Sequence, residues 1–179
     1  SNGYNSITSA YTNMVPWTTN VVYIPDANFK ILLLEEFDEN SDGEISLDEA
    51  ENITDLSFPA SLLKVKSMTG IEYFTNLKTL DFSYNQVTSL DLSNNTKLTD
   101  VNISSNKLTS LTLPASVVNV DASNNLLTNL DVSTLTELTD LNVNKNKLVS
   151  LFVEKNKLLT SLDCANNSIA SLDLSKLVY

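Results

Sequence analysis

The chain has 179 residues and a pI near 4.2, with 11 basic residues against 22 acidic ones and a formal net charge of −11. That balance argues against nucleic acid and anionic membranes as partners, because both demand a basic surface that displaces counterions. No apolar run reaches the roughly 18 to 20 residues that cross a bilayer, and the one cysteine, Cys164, permits no internal disulfide framework.

Residues 1–24 read as an extended N-terminal tether. Ser1 to Asn20 is rich in Ser, Thr and Asn and has little apolar periodicity, as expected of a segment leading from a secretion signal or lipid anchor to a folded unit. The alternative is that Trp17 and Val21-Val22-Tyr23 lie along that unit as an extended strand. Residues 25–54 form a helical cap: Asp26 is a helix N-cap, Phe29, Leu33, Leu34 and Phe37 recur at helical spacing, and Ser46-Leu47-Asp48-Glu49 is a capping box that opens a second helix.

Between the two helices, Asp38 to Glu49 fits the pattern D-x-[DN]-x-[DN]-G-x5-E at every required position. The segment resembles an EF-hand loop. Carried over by position, the resemblance implies side-chain oxygens from Asp38, Asn40 and Asp42, the backbone carbonyl of Glu44, a direct or water-mediated contact from Ser46 and two oxygens from Glu49 around a calcium ion. Gly43 permits the sharp turn, and Ile45 stands where the family places its apolar residue. EF-hands usually work in pairs and no second loop is present, so the expected affinity is that of extracellular modules, about 0.1 to 1 mM. The alternative is an Asx-rich turn without an ion. A bound calcium is expected to fix the cap, whose first helix would cover the open apolar end of the next unit.

From residue 55 to 179 one apolar frame recurs. Asn85, Asn106, Asn125, Asn146 and Asn167 follow at steps of 21, 19, 21 and 21. Around the first lie Leu77, Leu80, Phe82, Val87, Leu90 and Leu92, and around the second Leu98, Val101, Ile103, Leu108, Leu111 and Leu113. The third copy reads Val118, Val120, Ala122, Leu127, Leu130 and Val132, and two more follow through Leu138 to Val153 and Leu159 to Leu174. A fixed period of this length is the mark of a solenoid whose coils fold only when stacked. The pattern L-x-x-L-x-L-x-x-N-x-L resembles bacterial leucine-rich repeat surface proteins of the internalin-like, 21-residue type. The resemblance implies a strand-rich solenoid with short coils, no full convex helices and a small helix-loop-helix cap at its N-terminal end. Phe58 to Val65 matches Leu113 to Val120, so both read as one shortened turn, and Met68 to Phe74 between the cap and the clean frame can form a helical turn. Cys164 shares the inward column of Phe82 and Ile103, which makes it a buried apolar residue.

Positions between the inward ones must line up across coils about 4.8 Å apart. The first strand column reads Asp81, Asn102, Asp121, Asn142, Asp163, flanked by Thr79, Asp100, Asn119, Asp140 and Ser161; the second strand column reads Asp91, Thr112, Asp131, Phe152, Asp173. An amide between two acids relieves the repulsion of opposed carboxylates and can donate to both. One reading is a hydrogen-bonded ladder that protects an exposed sheet. The other is a recognition face, for which Asp81, Asp100, Asn102, Asp121, Asp131, Asp140, Asn142, Phe152 and Asp163 are the candidate residues. The Asn85 column is expected to turn inward and satisfy backbone groups of adjacent coils.

The expected function is a secreted or surface-anchored bacterial binding module recognising a protein or a carbohydrate. A rigid spacer is the alternative, and a hydrolase using paired Asp residues a weaker one: histidine and a Gly-rich phosphate loop are both missing from the sequence. The last coil reaches Tyr179 without a polar closing unit, so the expectation is either that the natural protein continues or that two copies associate end to end.

Overall fold

The computed structural model describes residues 20–177. Helix α1 (Ala27–Phe37) starts where the Asp26 carboxylate accepts the amides of Asn28 and Phe29 at 2.9 and 3.1 Å. Helix α2 (Leu47–Asn52) starts at the reciprocal box of Ser46 and Glu49. The second Asp26 oxygen takes the amides of Lys66 and Ser67 at 2.8 and 3.0 Å, so one carboxylate joins α1 to the chain entering the solenoid. Phe29 and Leu33 are fully buried, and Phe29 meets Phe82 edge-on with ring centroids 5.5 Å apart. The apolar face of α1 therefore covers the first coils as a lid.

The segment 20–24 is part of this cap and not a tether. Val22 and Ile24 are buried; the Val22 amide donates to the Ile45 carbonyl, and the Leu47 amide to the Asn20 carbonyl, each at 2.8 Å. Of the two sequence readings, the one found for Val21–Tyr23 is that it lies along the cap, held by a single antiparallel bridge from Val21 to Ser46 rather than as a regular strand. Trp17 and the rest of residues 1–19 lie outside the described residues. The arm also passes so near Gly70, which has φ +105°, that a Cβ there would sit 2.9 Å from an Ile24 side-chain carbon.

Each coil contributes a three-residue strand to one parallel sheet: β1 (Asp55–Ser57), β2 (Thr79–Asp81), β4 (Asp100–Asn102), β6 (Asn119–Asp121), β7 (Asp140–Asn142) and β8 (Ser161–Asp163) pair in that order. The register places Asp81, Asn102, Asp121, Asn142 and Asp163 side by side, as their spacing requires. A second strip has regular pairing only between β3 (Ser89–Asp91) and β5 (Ser110–Thr112). A single 3₁₀ turn, Ile71–Tyr73, falls in the stretch read as a helical turn.

The inward leucines, valines and isoleucines form one continuous apolar column. In the third coil Val117, fully buried, holds the place of Leu77 and Leu98, while Val118 is only half-buried and accepts across the sheet through its carbonyl. The two octets also part company. Pro59 follows a strand of the six-stranded sheet, and Ala60 takes φ +53° at the position of Tyr84 and Ser105; Pro114 follows β5 in the other strip. Only Leu113 to Val117 shortens the coil by two residues. Their common sequence reflects a shared need for a tight exit from a strand, at different corners. Cys164 is half-buried, because its column is less covered at the last described coil.

The ladder at Asn85 forms as expected. Asn106 Nδ2 donates to the carbonyls of Phe82, Ile103 and Ser104, and its Oδ1 accepts the Val87 amide at 2.9 Å; Asn85, Asn125, Asn146 and Asn167 do the same for Val65, Leu108, Leu127 and Leu148. The residue before each Asn is left-handed without being glycine, and in the first four of these the amide extends the bonding to the following coil, as Tyr84 does to Ser104. These bonds hold a backbone conformation that L-residues seldom adopt.

Candidate functional site

The outward side chains of the six-stranded sheet line a groove of about 560 Å³ that runs across all six strands. Asp81, Asp100, Asn102, Asp121, Asp140, Asn142 and Asp163 lie in it, with Thr79, Asn119 and Ser161 between them. Asp131 and Phe152 do not. They belong to the strip of the second strand column, where Phe152 is 68% exposed, so the nine candidates divide between two surfaces. Sequence spacing identifies columns, but it does not say which columns share a face.

Local chemistry explains the Asp and Asn of the first column. Each accepts the amide two residues on: Ser83 to Asp81, Ser104 to Asn102, Ser123 to Asp121, Asn144 to Asn142 and Ala165 to Asp163. These Asx turns bend the chain out of the strand and tolerate either residue. The same closure recurs in the second strip, where the Ser93 amide holds the Asp91 carboxyl below its ordinary pKa and Ser133 does so for Asp131.

The amides do not bridge two acids. Asn102 Nδ2 donates to Asp81 at 3.3 Å and Asn142 Nδ2 to Asp121 at 3.1 Å, always toward the preceding coil. The other end of each amide is an acceptor already committed to its own Asx turn. Asp163 is served instead by Asn144 from the preceding coil, at 3.0 and 3.1 Å. The Ala165 amide, followed by Asn144, keeps the Asp163 carboxyl below its ordinary value; hydroxyls of Thr79 and Thr54 do the same for Asp55 at the other end of the sheet.

In the cap loop, Asp38 accepts the amides of Asp42 and Gly43 at 3.2 and 3.0 Å, Asn40 accepts the Asp42 amide at 2.9 Å, and Asp42 accepts the Glu44 amide at 2.9 Å. Glu49 is 93% buried by its 7% exposure, and takes the Glu39 amide on one oxygen and the amide and hydroxyl of Ser46 on the other. Burial pushes its carboxyl up, but these donors outweigh that and leave it below the ordinary value. The Glu44 side chain pairs with Lys30 at 2.6 Å. In kind, this all-oxygen donor set fits a hard cation, and Gly43 at φ +82° supplies the turn. In position the carboxylates are closed onto the loop's own amides. Among the described residues, no three acidic, histidine or cysteine side chains gather as a metal site. The end of the loop pairs with the arm, whose Val21 makes an antiparallel bridge to Ser46.

A second asparagine pair, Asn95 and Asn156, escapes sequence reasoning. Both Asn are fully buried at the far turn; Asn95 donates to the carbonyls of Ile71 and Phe74, and Asn156 to those of Val132 and Leu135. Leu135 occupies the same place in another coil, which hides the column.

Known proteins agree with this architecture. A family model described as leucine-rich repeats in two copies matches residues 75–115. A leucine-rich repeat protein of Leptospira interrogans is similar in structure, with TM-score 0.64 and 20% identity over 73% of this chain and 36% of that one. The fold is a leucine-rich repeat solenoid. A plant peptide hormone receptor, RGFR1 in complex with RGF2, is similar in structure at 28% identity and TM-score 0.50, over 63% of this chain and 19% of the receptor. An internalin, InlF of Listeria monocytogenes, aligns at 22% identity over 90% of this chain and 77% of its own, with a TM-score of 0.46. The leucine-rich repeat chain thus spans about a third of the Leptospira protein. No curated protein matches it. No described helix is long and apolar enough to cross a membrane.

Proposed function

We propose that this chain is a protein-recognition module that binds its partner along the six-stranded face, outside the bacterial cell, whether secreted or held at the surface. The observation that carries the reading is the groove, which crosses all six strands and sets outward Asp, Asn, Thr and Ser side chains beside an apolar lining from Leu80, Val101, Val120 and Leu141. Its lining holds no aromatic ring on which a sugar face could stack, which favours a protein over a glycan. The structurally similar plant peptide hormone receptor, which is in complex with RGF2, supports a protein ligand.

The test is a screen of extracellular proteins and glycans with the unmodified chain, Asn119→Arg in the groove and Asp131→Asn outside it. The expected partner is a protein lost with Asn119→Arg and kept with Asp131→Asn, both variants melting normally. A partner that survives Asn119→Arg removes the assignment to this face, and binding confined to glycans gives the carbohydrate reading. Failure to bind anything leaves the rigid spacer.

We further infer that the cap loop takes calcium through Asp38, Asn40, Asp42, the Glu44 carbonyl, Ser46 and Glu49. The oxygen donor set supports this. The ion would supply rigidity between α1 and α2. Glu49 must leave its Ser46 bonds to serve it, which keeps the affinity weak. At ten times its dissociation constant, calcium is expected to stabilise the chain by about 1.4 kcal/mol. Equal melting temperatures in calcium and in chelator would exclude the site.

A further inference from the structure

Each strand of the six-stranded face carries one aspartate, and the six alternate between the two outward rows. In sheet order they are Asp55 on β1, Asp81 on β2, Asp100 on β4, Asp121 on β6, Asp140 on β7 and Asp163 on β8. The register puts Asp55, Asp100 and Asp140 in one row and Asp81, Asp121 and Asp163 in the other. Within a row, acids stand two strands apart, about 9.6 Å, which prevents two of them from sharing one metal ion.

No lysine lines the groove; Lys78 lies outside it, beside Asp55. The one ion pair among the described residues joins Lys30 to Glu44 in the cap. All six carboxylates are therefore without a basic partner in contact, while hydrogen bonds from neighbouring hydroxyls, amides and Asx turns fix their directions. At physiological salt the Debye length is about 8 Å, so the array tolerates its own charge without collapsing onto internal cations.

We propose that this face binds a basic, extended polypeptide segment laid across the strands, with a lysine or arginine at every third residue. This rests on the face being a protein-recognition surface and adds the chemistry of the partner. Charge complementarity selects a cation, and the row spacing selects its repeat. In a polyproline II helix, every third side chain points the same way after about 9.3 Å, close to the 9.6 Å between acids of one row. Clustered lysines on an extended chain are spaced too closely to meet the same acids together.

The experiment uses two fluorescent peptides: Lys-Pro-Pro repeats, and an isomer of equal composition with its lysines in one block. Anisotropy titration of the full chain near physiological salt is expected to show the repeat binding about tenfold tighter than the isomer, through several individually weak pairs. The triple variant Asp81→Asn, Asp121→Asn, Asp163→Asn, which empties one row and leaves Asp55, Asp100 and Asp140 in the other, should reduce that advantage, and adding Asp55→Asn, Asp100→Asn and Asp140→Asn should abolish it. The fold of the triple variant is expected to hold, because Asn102 and Asn142 already close the same Asx turn in this column. The matching triple Asp91→Asn, Asp131→Asn, Asp173→Asn should leave binding unchanged. Equal binding of the two peptides, absence of binding, or equal loss in both triples overturns the proposal. A neutral or acidic protein partner lost with Asn119→Arg would overturn it too, while leaving the recognition face standing.

Discussion

The two asparagine columns occupy opposite corners of the coil and use the same side chain for different ends. In the column of Asn85 to Asn167, each Oδ1 takes a backbone amide, such as Val87 for Asn106, for which the structure gives no other acceptor. At Asn95 and Asn156 the Oδ1 is buried without a partner. The carbonyls that these two residues contact already accept one amide each: Ile71 from Phe74, Phe74 from Leu77, Val132 from Leu135 and Leu135 from Leu138. A buried donor left without an acceptor is costly, whereas a carbonyl that loses one of two donors is not. The first column is therefore obligatory, and the second is replaceable by leucine, as Leu135 shows.

The largest test of this contrast is Asn106→Leu, which strands the Val87 amide, while the carbonyls of Phe82, Ile103 and Ser104 keep donors in Asn85, Asn125 and Tyr84; it should cost about 2 kcal/mol by denaturant unfolding. A loss under about 1 kcal/mol would mean that the coil relaxes to satisfy Val87 in another way. Asp26 extends the accounting to the cap. Its two oxygens hold four backbone amides, and these donors lower its carboxyl against the opposing effect of burial. Asp26→Asn keeps the helix cap but turns an amide group toward Lys66 or Ser67, at a cost of about 1 kcal/mol. The sign of the pH effect follows from the lowered carboxyls of Asp26 and Glu49. Both groups add stability above their unfolded values, near pH 4, and lose it as the pH falls through their folded values. Melts between neutral and strongly acid pH should show this loss, reduced in Asp26→Asn. The smallest effect belongs to Asn156→Leu, which deletes the unpartnered oxygen along with two bonds and should change stability by less than about 1 kcal/mol.

Much of the solenoid was legible in the residues. The recurrence of Leu80, Val101, Val120, Leu141 and Leu162 specified a parallel strand, and the Asp81 column then had to lie in register, since neither depends on anything beyond one coil and the next. The misreadings have local causes. Val117 and Val118 are adjacent and alike, so composition did not separate the inward from the outward one. The Pro-Ala-Ser octets share a sequence because both leave a strand sharply, though at different corners. Asn95 and Asn156 were missed because one coil is shortened at that turn and another carries Leu135.

The sequence alone determined the coil: its period, its inward residues, its acid and amide columns, and the donor chemistry of the loop from Asp38 to Glu49. Periodic burial is decided between neighbouring coils, so it leaves a periodic trace. Only the tertiary structure decided that Asp131 and Phe152 lie away from the groove, that the acids of two rows interleave one per strand, and that residues 20–24 complete the cap by pairing with Ile45 and Leu47 and crossing Gly70. Those contacts join segments that occur once, or columns that no single strand reveals. Their positions follow from how the coil closes in three dimensions rather than from any spacing along the chain.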